Sequence, residues 1–152
     1  MATWTKICCP IDFSETSRAA LEEAAELARR YDAEVALLHV FEPPAATTDL
    51  MVTPPEVLDQ TAKELERKLE LWKSEAERRG AKVVRALVVT GAAATEVVRF
   101  AREGGYDLVV MGTHGRRGLR HLVLGSVAER VIRRSPCPVL TFRPSAGKPE
   151  TD

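Results

Sequence analysis

The strongest constraint on this chain is a strict alternation: five short apolar runs are separated by four stretches with helical periodicity. The runs are "WTKICCPI" (4–11), "EVALLHVF" (34–41), "KVVRALVV" (82–89), "YDLVVMG" (106–112) and "PVLTF" (138–142). Between the first two, Ala20, Leu21, Ala24, Leu27, Ala28 and Tyr31 recur at three- and four-residue steps, while Glu22, Glu23, Arg29 and Arg30 fill the opposite face. Leu58, Ala62, Leu65, Leu69, Trp72 and Ala76 then mark a long helix that stops at Gly80; it is too short in heptads to read as a coiled coil. Ala94, Val97, Val98 and Ala101 form a third helix closed by Gly104 and Gly105. Val127, Ala128, Val131 and Ile132 face inward on a fourth, halted by Pro136. Strands of continuous apolar character alternating with helices imply an α/β fold: an open five-stranded parallel sheet with helices on both faces, Rossmann-like, with right-handed crossovers. Ligands of such sheets sit beyond the carboxyl ends of the strands, where the strand order reverses.

At 152 residues and 45% hydrophobic content, the chain suits one domain, expected over 1–143, with 144–152 a disordered tail. Lys+Arg and Asp+Glu are both 22, so no global field draws it to nucleic acid or membrane, and any cationic site must be local. Cys8, Cys9 and Cys137 form no C-x-x-C pair, which speaks against a disulfide framework or zinc site and for a reducing compartment. The opening "MATWTKICCP" lacks the pattern of a signal peptide, and no apolar run approaches the ~20 residues needed to span a bilayer. A cytoplasmic location is expected. The proline-paired stretch 42–53 reads as a long loop, either a lid or a surface excursion.

Chemistry concentrates after the fourth strand, in "MGTHGRRGLRHLVLGS" (111–126). Gly112, Gly115 and Gly125 would let backbone amides wrap a phosphate chain, and Ser126 opens a helix whose N-terminal amides and dipole favour an anion. Arg116, Arg117, Arg120 and His121 add positive charge. A structural alternative stands beside this: "SVAE" is itself a capping box, so Ser126 would only close the helix, and the glycines would only turn the chain. Asp12 has the same duality. "DFSE" is a capping box with Asp12 as N-cap, yet an aspartate at the ligand edge also accepts hydrogen bonds from a base or ribose, or holds Mg²⁺. His39 and Val40, near the end of the second strand, could offer backbone hydrogen bonds to a base, or Val40 could serve the core alone. There is no Walker P-loop, no G-x-G-x-x-G after the first strand, no metal-ligand spacing around His114 and His121, and no G-x-S-x-G elbow.

The stretch "VVMGTHGRRGLRHLVLGSVAERVIRRSPCPVL", with its glycine, two residues, glycine, nine residues, glycine and serine, resembles the signature of the universal stress protein (UspA-like) family, ATP-binding type. "ICCPIDFSETSRAALEEAAELA" is similar to the family's opening. The resemblance implies strand order 3-2-1-4-5, an adenine-nucleotide site between the first and fourth strands, and a homodimer through the strand from Pro138 to Phe142, whose open edge can pair with a second copy. It implies that Pro10, Ile11 and Asp12 line base and ribose, and that Val40 meets adenine through its backbone. Gly112, Gly115, Arg116, Gly125, Ser126 and Val127 would take the ribose and phosphates of ATP, with Met111 and His114 also counted among the nucleotide-binding residues and Asp12 a candidate Mg²⁺ ligand. Ile11 departs from relatives with a small or hydroxylated residue there, which removes one side-chain hydrogen bond. Three functions follow for comparison: an ATP-binding stress regulator with an unknown protein partner, a nucleotide-independent dimeric interaction module, and a slow ATPase or self-phosphorylating protein. For the last no water-activating base stands out, His114 being a candidate by proximity alone.

Overall fold

The computed structural model describes residues 3–44, 53–113 and 124–143. The stretch 45–52 and the expected tail 144–152 lie outside the described residues. The elements run β1 (Lys6–Pro10), α1 (Glu15–Tyr31), β2 (Glu34–Phe41), α2 (Pro55–Arg78), β3 (Lys82–Thr90), α3 (Ala93–Glu103), β4 (Leu108–Gly112), α4 (Ser126–Arg134) and β5 (Val139–Phe142). The strands form one sheet in the order β3-β2-β1-β4-β5. Every pairing is parallel, with Cys8 opposite Ala36 on one side and Val109 on the other. The order reverses at β1, so the gap between the carboxyl ends of β1 and β4 is the fold's ligand edge.

Successive strand residues point to opposite faces, and the core divides accordingly. Ile7, Cys9, Val35, Leu37, Leu108 and Val110 pack beneath α1 and α2. Cys8, Ala36, Leu38, Val109 and Met111 pack beneath α3 and α4. α1 meets the sheet through Ala20, Ala24, Ala25 and Ala28, all buried, and such small side chains let the helix lie close to the strands. Leu37 is fully buried in the central region, where truncation to alanine costs about 2–5 kcal/mol. Cys8 and Cys9 are fully buried, and burial pushes both thiols up, so they act as small core residues.

Three residues expected to face inward do not. Tyr31 ends α1 where the chain turns through Asp32 (φ 52), and it is 42% exposed. Val127 and Ile132 on α4 are 37% and 44% exposed, because this nine-residue helix buries only a narrow stripe, Ala128 and Val131. Leu140 on the edge strand β5 is likewise 38% exposed.

Candidate functional site

The β1–α1 turn begins where the sheet ladder ends. Ile11, 2% exposed, donates its amide to Leu38 O at 2.8 Å. The Asp12 amide donates to Ser17 Oγ at 3.1 Å, and Asp12 Oδ1 accepts from both the amide (2.9 Å) and the hydroxyl of Ser14. Ser14 is the N-cap of α1, its Oγ accepting from Ser17 N at 3.2 Å. This corrects the capping-box reading of "DFSE". Phe13 takes φ 63, a left-handed conformation that costs a residue with a side chain about 1–2 kcal/mol. It carries the chain through a reversal before the helix starts, moving the cap two residues on and leaving Asp12 in the turn.

At the end of β4, Met111 is buried in the second core cluster. Gly112 has a packing reason to be glycine: an added Cβ would stand 2.5 Å from Thr16 Oγ1 and 2.9 Å from Thr16 C, in the first turn of α1. Thr113 then anchors the strand end, its amide and its hydroxyl both donating to Phe142 O at 2.8 and 2.9 Å. Gly125 N returns to Thr113 O at 2.8 Å. This bond sets the start of α4 beside the end of β4. His114, Gly115 and Arg116, with Arg117, Arg120 and His121, lie outside the described residues.

All four helices start at this edge of the sheet, and they start differently. α1 is capped by Ser14. α2 follows Pro54 with Pro55 as its first residue, which brings no N–H to be satisfied. α3 receives the carboxylate of Glu42, which accepts from Ala93 N at 2.6 Å. α4 has Gly125 as N-cap (φ −58, ψ 150), a residue with no side chain to give, and Ser126 is its first helical residue. Ser126 is therefore not the N-cap of a Ser126–Glu129 capping box: the first intrahelical bond runs from Glu129 N to Gly125 O at 2.9 Å.

These positions can be compared with known proteins. The sequence profile of the Universal stress protein family matches residues 3–143. The chain belongs to the universal stress protein family. Universal stress protein MJ0531 of Methanocaldococcus jannaschii is 36% identical over 147 residues, covering 92% of this chain and 82% of its own. The structure of MJ0577 from the same organism matches with a TM-score of 0.84 at 34% identity, over 96% of this chain and 100% of its own. A universal stress protein solved in complex with cAMP matches with a TM-score of 0.72 at 25% identity, over 93% and 98% of the two chains.

In this universal stress protein the described parts of the expected site converge: Pro10, Ile11 and Asp12 follow β1, Met111 and Gly112 end the neighbouring β4, and Gly125, Ser126 and Val127 open α4. Val40 near the end of β2 is half-buried and packs with the second cluster, the face shared with Met111. Mg²⁺ suits the chemistry of one carboxylate combined with phosphate oxygens and waters. Asp12 Oδ1 is committed to Ser14, so Oδ2 would be the oxygen to meet the cation. Among the described residues no group of three His, Cys, Asp or Glu stands ready to hold a metal, and no helix is long and apolar enough to cross a membrane.

Sequence reasoning missed the side chains that hold the site's frame. The sequence points to His39 for its backbone alone, whereas its Nδ1 donates to Ile11 O at 2.6 Å. Phe13, Thr113 and Glu42 gave no signal, since their roles depend on contacts 26 or more residues away in the chain or on a backbone angle.

Proposed function

We propose that this universal stress protein binds ATP, with Mg²⁺, at the carboxyl edge between β1 and β4, and acts in the cytoplasm as a nucleotide-dependent stress regulator. The observation that carries this is the start of α4, set beside the end of β4 with Gly125 as an N-cap that has no side chain to give; Pro54 and Ala92, the N-caps of α2 and α3, likewise make no side-chain capping bond, but those helices follow β2 and β3 and do not open at the gap between β1 and β4. A helix N-terminus of this kind favours an anion through its amides and its dipole. In the complex, the phosphates rest against Ser126 and Val127, with Gly115, Arg116 and His114 as further nucleotide ligands. Asp12 meets the ribose or Mg²⁺, Pro10, Ile11 and Met111 line the base, and Val40 reads it through its backbone. Gly112 keeps α1 close and lets the nucleotide approach β4. The cAMP complex of a related universal stress protein supports adenine as the base.

The homodimer forms through β5, with Pro138 and Phe142 at the ends of the pairing stretch. Of the sheet's two edges, β3 carries Lys82 and Arg85, which discourage pairing, whereas "VLTF" carries no charge. The exposed Leu140 supports this choice.

Isothermal titration of nucleotide-stripped protein with ATP and Mg²⁺ tests the reading. One saturable site per chain is expected; absence of heat at millimolar ATP would overturn it and return the function to the dimer surface. Sedimentation equilibrium tests the dimer.

A further inference from the structure

The parallel pairing of β1 with β2 stops at Pro10 opposite Leu38. Leu38 O still accepts from Ile11 N at 2.8 Å, so Leu38 turns its peptide groups toward β1, and Val40, two residues on, turns its own the same way. A ladder continued by one rung would bond Val40 N to Ile11 O. That carbonyl is taken instead by a side chain: His39 Nδ1 lies 2.6 Å from it. A carbonyl only accepts, so Nδ1 carries the proton.

The imidazole is held in turn by Phe13, whose ring lies 4.8 Å away at 42°. Phe13 is fixed from outside by Trp72 edge-on at 5.3 Å and by the Lys68 ammonium 4.9 Å from its centroid. A left-handed aromatic residue, an early end to the ladder and a side chain substituting for the missing rung thus occur together, directly beneath the turn that carries Asp12.

We propose that His39 is a positioning residue for the nucleotide base: by capping Ile11 O it ends the β1–β2 ladder one rung early and presents the Val40 peptide to the base rather than to β1. Phe13, locked against the imidazole, keeps that cap in register. His39 lies on the α1/α2 face, opposite Val40, and acts without touching the nucleotide. The inference rests on the nucleotide reading above and adds the reason the base is read at Val40.

The test uses the full chain with His39→Phe, which keeps a ring against Phe13 but cannot donate, and His39→Asn, whose side-chain amide places a donor near the position of Nδ1. Far-UV circular dichroism and thermal melting establish that both variants fold. H39F is expected to lose about tenfold in ATP affinity, on the scale of one hydrogen bond, with affinity for inorganic tripolyphosphate unchanged; H39N restores most of the ATP affinity. Amide hydrogen exchange gives a readout independent of nucleotide: the Val40 amide becomes more protected in H39F, as the vacated carbonyl admits the missing rung. Equal losses for ATP and tripolyphosphate, an unchanged ATP affinity in H39F, or no rescue by H39N would each overturn the inference while leaving the nucleotide site standing. A wild-type chain that binds neither ligand would overturn the nucleotide reading and the positioning role with it.

Discussion

The N-termini of α1 and α4 flank the same edge of the sheet and solve the same problem in opposite ways. Both must satisfy amides that have no partner within the helix. α1 does so from its own sequence: Ser14 caps, Asp12 braces Ser14, and Ser17 returns a hydroxyl to the Asp12 amide. α4 starts from a glycine whose amide, among the described residues, is held by the Thr113 carbonyl. Among the described residues, one end spends its polar side chains on capping, and the other leaves its first amides without a side-chain cap. Two stretches that look alike as capping boxes, "DFSE" and "SVAE", therefore differ in what they leave open.

The sharpest way to break this contrast is to close α4 as α1 is closed. Gly125→Asp supplies a carboxylate cap, worth at most a few tenths of a kcal/mol over glycine, and sets negative charge where the phosphates are proposed to lie. ATP affinity is expected to fall by about a hundredfold or more, equivalent to ~2.7 kcal/mol, with thermal stability unchanged or slightly raised; titration calorimetry and melting read the two effects separately. Retained affinity would show that α4 is not where the phosphates bind.

Gly112→Ala tests the packing side of the comparison. Its Cβ would press on Thr16 Oγ1 and backbone, an overpacking expected to cost about 1–3 kcal/mol, measured by urea denaturation. A neutral effect would mean that α1 can move off β4, and that the glycine is there for the ligand alone.

Ser14→Ala removes the cap of α1 and should cost about 1 kcal/mol, a fall in Tm of about 2–4 °C for a domain of this size. Its effect on stability should exceed its effect on tripolyphosphate binding, the reverse of Gly125→Asp.

The smallest effect concerns the body of α1. Arg29 and Arg30 hydrogen-bond the Glu26 carboxylate and hold it down to about 2. A carboxylate depressed in the folded state contributes stability above its unfolded value of 4.5, and the contribution is lost as pH falls toward 2. Glu26→Gln should therefore be slightly less stable than wild type at pH 7 and indistinguishable near pH 2, by melting in parallel buffers. Exposure of the pair keeps the difference small.

Most of the fold was legible because its signals are local and repeated. The apolar runs place β2 at 34–41 as the structure does, and the three-and-four periodicity of Ala20 through Ala28 marks the face of α1 that the sheet covers. The periodicity failed at Val127 and Ile132, where the helix is too short for its apolar width to be used. Turn chemistry was only half readable: a Ser, Thr or Asp followed three residues later by Glu marks a helix start to within two residues, and which residue caps depends on φ at Phe13. The His39 contact with Ile11 joins residues 28 apart and has no signature along the chain. Gly112 was legible as a special position, while the neighbour that requires it, Thr16, was not.

The bond from Gly125 to Thr113, with Thr113 held to Phe142 by two more, closes a circuit at the foot of the glycine-rich stretch. The two ends that bracket this stretch are thus held to one another and to β5, and Leu124, just before Gly125, packs against the second core cluster. Lengthening such an insert costs little, about 0.6 kcal/mol for each doubling, and the strand and helix on either side need not adjust. The splice point is therefore suited to exchange: replacing the sequence between Thr113 and Leu124 is expected to leave the melting temperature of the sheet nearly unchanged.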